Sequence, residues 1–201
     1  MICSKVLVPS GVLGLGFDIE ALKNGLNRKP DIISIDGGST DSGPYSLGSG
    51  TSKYSRSAIK SEWKILMKAR EEAKIPLLIG SSGTCGTDEM VDWMEDITIE
   101  LAEEMGQSIK ITKLYCEQDK EFIKTSFKNQ KISSLDPSPK IDTDIIQDMS
   151  HIVALAGAEQ IQECIKTGAD IILAGRTTDT AIISALPLMK GADPGGSWHG
   201  A

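Results

Sequence analysis

The stretch Asp31 to Gly50, D-I-I-S-I-D-G-G-S-T-D-S-G-P-Y-S-L-G-S-G, decides how the rest of the chain is read. Its first five residues, Asp31 to Ile35, read as a strand, and the apolar run Ile32 to Ile35 within them marks it as buried. The run opens straight into glycines, hydroxyl residues, two aspartates, one proline and one tyrosine. Such a segment has too few apolar side chains to bury itself, and its backbone polar groups need partners. Glycines let backbone N–H groups approach a ligand, while hydroxyls and carboxylates can hold its polar groups. A flexible spacer has no need of Asp36, Asp41, Pro44 or Tyr45, so the loop reads as functional rather than as a linker. It matches neither the P-loop, since no Gly-Lys-Ser/Thr follows, nor G-x-G-x-x-G.

The same order recurs outward from this stretch. Pro76 to Ile79 is a continuous apolar strand that opens into Gly80-Ser81-Ser82-Gly83-Thr84-Cys85-Gly86-Thr87. Ile109 to Tyr115 ends in Cys116-Glu117-Gln118-Asp119, and Asp170 to Ala174 ends in Gly175-Arg176-Thr177-Thr178-Asp179-Thr180. Upstream, Lys5 to Val8 is a short strand followed by a glycine turn, Gly11 to Gly16, which reads equally as a phosphate-binding element and as a tight structural turn. Helical patterns fill the intervals. They cover Asp18 to Leu26, Arg56 or Ser57 to Ala73 with its Ile59, Trp63, Leu66 stripe, and the segment after Thr87 with Met90, Trp93, Ile97, Leu101 and Met105. Further helices are expected up to Asn129, within Ile141 to Ala156, over Gly157 to Thr167, and over Thr180 to Leu186 with a stop at Pro187. Gly191 to Ala201 lacks the pattern of a finished element.

Five strands alternating with helices predict an α/β protein, its mainly parallel sheet covered by helices on both faces in the Rossmann-like manner. Residues 1–201 read as one domain, a size at which about 70% of the unfolded surface can be buried. In a parallel sheet the polar strand-end loops share one edge, where ligands bind.

Composition narrows the function. With a net charge of −7 the chain is a poor general binder of nucleic acid, which calls for positive charge. Four scattered cysteines without a C-x-x-C pair exclude a clustered zinc site. No secretory signal or long apolar span is visible, so the expected location is cytoplasmic, with reduced thiols and no membrane partner.

The candidate chemistry lies in the loops. Asp36, Asp41, Glu117, Asp119 and Asp179 are carboxylates that can pair as acid and base, hold a divalent metal through oxygen, or cap helices. Asp41, Asp179, Glu117 and Tyr45 form the catalytic set, with the metal left open. The substrate-binding set is Asp36, Gly37, Gly38, Ser39, Thr40, Ser42, Gly43, Ser81, Ser82, Gly83, Gly175 and Arg176, the last able to clamp a carboxylate or phosphate. Arg56 is a weaker clamp. Cys85 has no partner histidine, and His151 and His199 are too far apart in sequence to define a triad, so His151 reads as structural.

These loops together resemble the N-terminal part of the acyclic terpene utilisation family. The likeness is carried by Asp36 to Gly50, by P-L-L-I-G-S-S-G (Pro76 to Gly83), by Y-C-E-Q-D-K-E (Tyr115 to Glu121), and by A-D-I-I-L-A-G-R-T-T-D-T-A (Ala169 to Ala181) with Ala185 to Pro187. The chain departs from the family pattern at Cys85, Thr177, Thr178 and Thr180. The resemblance implies a longer family domain of which this chain is the N-terminal part, and a setting in bacterial breakdown of citronellol-like terpenes, with intermediates carried as CoA thioesters. The expectation is a catabolic enzyme with a lyase, hydratase or isomerase step on a small carboxylated or acyl-CoA substrate. A binding or assembly module within a homo-oligomer or with a partner subunit competes with it, and a nucleotide-dependent enzyme is third.

Overall fold

The computed structural model describes residues 3–38 and 43–201. Ser39, Thr40, Asp41 and Ser42 of the expected site lie outside the described residues. In chain order the elements are β1 (Val6–Leu7), α1 (Ile19–Leu26), β2 (Ile32–Asp36), α2 (Tyr45–Ser49), α3 (Arg56–Ala73), β3 (Leu77–Gly80) and α4 (Asp88–Met105). They continue with β4 (Ile111–Leu114), α5 (Lys120–Lys128), α6 (Thr143–Asp148), α7 (Ala158–Lys166), β5 (Ile171–Ala174), α8 (Ala181–Met189) and α9 (Pro194–Gly200). The five strands form one parallel sheet in the order β1-β2-β3-β5-β4.

The two-residue period of a strand sorts this sheet into two cores. Ile33, Ile35, Leu77, Ile79, Ile171 and Leu173 face one side, where they pack with Leu22 of α1, Ile59, Trp63 and Leu66 of α3, and Val91, Met94 and Ile97 of α4. Ile32, Leu78, Ile172 and Ala174 face the other, against Ile161 of α7 and Ile182 and Ala185 of α8. Fully burying side chains of this size stabilises by about 1.5–3 kcal/mol each, which is why the strands are near-continuous apolar runs. The expected Rossmann-like α/β architecture is what forms.

Helix ends follow local chemistry. Thr87 caps α4 by accepting the Met90 N–H, Asp88 and Glu89 occupy its first turn, and Gly106 closes it in the left-handed conformation. Ser55 caps α3 through the Ala58 N–H. Inside the core, Trp63 Nε1 donates to Thr98 Oγ1 at 2.9 Å, which confirms Trp63 as a packing residue.

Three local expectations are corrected. Helix α8 runs through Pro187 instead of stopping before it. The proline is the seventh of nine residues, so its ring deprives only the Ile183 carbonyl, and the Lys190 N–H to Leu186 carbonyl bond of 3.0 Å completes the last turn. The C-terminal tail does form a helix, α9, because Asp193 caps it through the Gly196 N–H and Pro194 sits at its first position. Tyr45 to Ser49 of the opening loop is a short helix, closed by Gly50. The helix expected within Ile141 to Ala156 is α6 (Thr143–Asp148). The remainder of that segment is an extended strap bridged to two strand-end loops, Val153 to Glu117 and Ala156 to Thr177.

A candidate active site at the carboxyl edge

The chain proceeds in one direction from β1 to β3, skips a position to β4, and returns to place β5 between them. Consequently the loop after β3 leads to α4 on one face of the sheet, and the loop after its neighbour β5 leads to α8 on the other. Adjacent strands whose connections diverge leave a crevice at their carboxyl ends. Two of the four polar loops read from the sequence therefore flank the switch point directly. Asp36 comes from β2, one strand to one side, and Glu117 follows β4, one strand to the other.

The loops meet backbone to backbone. The Gly37 N–H donates to the Gly80 carbonyl at 2.7 Å, and the Thr84 N–H donates to the Gly37 carbonyl at 3.1 Å. Across the crevice Ser81 N–H donates to the Gly175 carbonyl at 2.9 Å, and Ser82 N–H to the Ala174 carbonyl at 3.0 Å. Glycine is required where the chains touch. A Cβ on Gly37 would lie 2.5 Å from the Ser81 carbonyl oxygen, and one on Gly86 would overlap the Arg176 backbone.

The polar side chains converge on the same place. Asp36 is 93% buried and its Oδ1 has no hydrogen-bond partner among the described residues. The same holds for the Ser82 and Thr177 hydroxyls, both buried. Burial, joined by the negative charge of Asp179, pushes the Asp36 carboxyl up to about 7, against the opposing pull of the Gly38 and Gly37 N–H groups and the Arg176 guanidinium. Arg176 Nη1 donates to Ser81 Oγ at 3.5 Å and to the Thr84 carbonyl at 3.4 Å. Asp36, Gly37, Gly38, Ser81, Ser82, Gly175, Arg176 and Asp179 are thus brought together. Gly83 packs on Met90 of α4, Gly43 has open space around it, and Tyr45 stands exposed at the start of α2.

The other candidates divide. Asp119 caps α5 by accepting the Phe122 N–H at 2.8 Å. Arg56 pairs with Glu100 at 2.7 Å on the helical face. Cys85 is buried beside Thr87. The glycine turn after β1 does offer its amides to an anion, but the anion is internal: Glu62 of α3 accepts the Gly14 and Gly16 N–H groups, both at 2.7 Å. This fills the site a phosphate would need and removes the main support for a nucleotide there. Among the described residues no group of three or more His, Cys, Asp or Glu is placed to hold a metal ion.

His151, read from the sequence as structural, lies beside Glu117. His151 Nδ1 lies 2.7 Å from Glu117 Oε1, while Glu117 Oε2 accepts the Asp88 N–H at 3.0 Å. Asp88 Oδ1 in turn accepts the Cys116 and Glu117 N–H groups. A contact across 34 residues leaves no local signal in sequence. The only hint was the Glu at a strand end.

Fold and site together define a doubly wound parallel α/β protein with a polar crevice at its switch point. The chain belongs to the acyclic terpene utilisation family, whose model, described as acyclic terpene utilisation family protein AtuA, matches residues 45–190. No curated protein and no solved structure matches it. No helix among the described residues is long and apolar enough to cross a membrane.

Proposed function

We propose that the crevice is the active site of a catabolic enzyme acting on a small carboxylated or acyl-CoA substrate by a lyase, hydratase or isomerase step. The observation that carries this reading is Asp36: a buried carboxyl pushed up to about 7 beside Asp179 and Arg176, with one oxygen unpartnered among the described residues. An acid poised at the working pH is suited to proton transfer, since both of its forms are populated. Asp36, expected from sequence as a binding residue, takes the proton-transfer role in this reading. Asp179 tunes it through charge, and Arg176 with the Ser82 and Thr177 hydroxyls holds the anionic or carbonyl end of the substrate.

The test is a thermal-shift comparison of short branched acyl-CoA thioesters and small dicarboxylates against the chain and its Arg176→Ala variant. Ligands that bind only the native state raise its melting temperature. A rise in the wild type that Arg176→Ala abolishes supports the reading, and a rise indifferent to Arg176 removes the crevice from it.

A binding or assembly module is the second reading. It is favoured by one observation, a groove of about 1600 Å³ running along the open β1 edge between α1 and α8–α9, away from the crevice.

A further inference from the structure

We propose that the open edge of β1 docks an extended acidic segment of a partner protein, which joins the sheet as a further strand. The inference stands apart from the crevice and gives the groove beside β1 its occupant.

β1 is the outermost strand and pairs with β2 on one side. Lys5 sets the direction of its backbone. The Lys5 N–H donates to Asp31 Oδ2 at 2.7 Å and its carbonyl accepts the Asp31 N–H at 2.8 Å, so Lys5 faces β2. Successive residues of a strand face opposite ways, which turns the backbone groups of Val6 and Val8 to the open side. The Ile33 N–H of β2 agrees with this, since it donates to the Pro76 carbonyl at 3.0 Å and leaves the Val6 carbonyl alone. Val8 is 40% exposed, and its backbone has no hydrogen bond among the described residues. An N–H and a C=O at alternate positions of an edge are what an added strand pairs with.

The groove has room for that strand. It measures about 1600 Å³ and follows β1 between α1 and α8–α9. Ala192, Gly196 and Gly200 line the α8–α9 side, and a Cβ on Gly200 would meet nothing within 4 Å. That wall therefore has little side chain of its own to fill the space.

Charge selects the occupant. Lys5, Arg28 and Lys29 line the groove at the amino end of the strands, where Lys5 Nζ donates to the Arg28 carbonyl at 2.8 Å. Arg28 and Lys29 have no ion pair among the described residues, although the chain carries a net charge of −7. The neighbouring acids are engaged: Asp31 pairs with Lys190 at 2.9 Å, and Asp193 caps α9. A second copy pairing β1 to β1 brings two basic clusters together across a very short strand, and like charges so placed repel. Carboxylates on the added strand complement them. The cluster sits at the amino edge of the sheet, away from the crevice, so docking leaves the crevice open.

The test uses a capped synthetic peptide, Glu-Glu-Val-Thr-Val-Glu-Glu, with its Lys-for-Glu counterpart as control, added to the isotope-labelled chain. The acidic peptide should shift the Val6 and Val8 amides and slow their hydrogen exchange at least about tenfold, the mark of newly made backbone bonds. Binding should weaken with added salt and fall at least about tenfold in the double variant Arg28→Glu, Lys29→Glu. Both side chains are exposed, so that variant is expected to fold. Unchanged Val6 and Val8 amides overturn the proposal, and equal binding of the lysine peptide overturns the acidic partner. Protection of Val6 and Val8 that grows with protein concentration alone, accompanied by dimers in sedimentation, replaces the partner with a second copy. Arg176-dependent thermal shifts with acyl-CoA thioesters should persist in the Arg28, Lys29 variant, so failure here and failure of the crevice reading are read separately.

Discussion

The Gly37 amide donates to the Gly80 carbonyl at 2.7 Å, carrying the β2–β3 ladder one step beyond the strands and into the crevice. The same glycine cannot take a side chain, because a Cβ would lie 2.5 Å from the Ser81 carbonyl oxygen and 2.8 Å from that of Gly80. Both obstacles are backbone and neither can swing away. Gly37→Ala should cost about 1–3 kcal/mol, the usual range for overpacking, measured by urea denaturation. It should also abolish ligand-induced thermal shifts even where the variant still melts cooperatively.

Asp36 links the site to stability through pH. Its carboxyl titrates about 7 in the folded chain, against 3.8 as its ordinary value. Below the lower value both states are protonated, and the residue contributes nothing. Between the two values the unfolded chain ionises while the folded one keeps its proton, so stability falls as pH rises. Above about 7 the full penalty is present, on the order of 4 kcal/mol. Asp36→Asn should therefore flatten this decline between pH 4 and 7 and be the more stable protein at pH 8, checked by denaturant midpoints at both ends, while losing proton transfer.

Glu62 joins α3 to the turn after β1 through two charge-assisted bonds. Glu62→Ala leaves the Gly14 and Gly16 amides without that acceptor and should cost roughly 1.5–3 kcal/mol. Added ATP should not restore the loss. A nucleotide-dependent gain in melting temperature would reopen the turn as a ligand site.

Thr98 Oγ1 accepts the buried Trp63 indole N–H at 2.9 Å. Thr98→Val keeps the shape and removes the acceptor, which should destabilise by about 1–3 kcal/mol. Fluorescence-monitored unfolding reads it directly, and a neutral result would mean that the indole finds another partner.

What was legible in the sequence was whatever depends on near neighbours. Ile32 to Ile35 and Ile171 to Leu173 are buried on both faces and so carry no polar interruption except Ser34. Thr87 followed by two acids announced α4. Helix α9 was missed although Asp193-Pro194 is a good start signal, since two glycines follow it and mask the pattern. The strand order, with β5 inserted between β3 and β4, is a choice among tertiary arrangements that no local pattern records. In the site, the strand-end loops were visible by composition. The Glu62 plug and the His151–Glu117 pair join residues far apart in the chain, and only folding brings them together.

The central claim is that ligand binds at the β3/β5 crevice. Amide chemical-shift mapping with 3-methylbut-2-enoyl-CoA tests it most directly. The account predicts perturbations concentrated at Gly37, Gly38, Ser81 to Gly86 and Gly175 to Thr178. Perturbations confined instead to Ser4 to Val8, Arg28 to Lys29 and Gly191 to Gly196, along the groove beside β1, would contradict it.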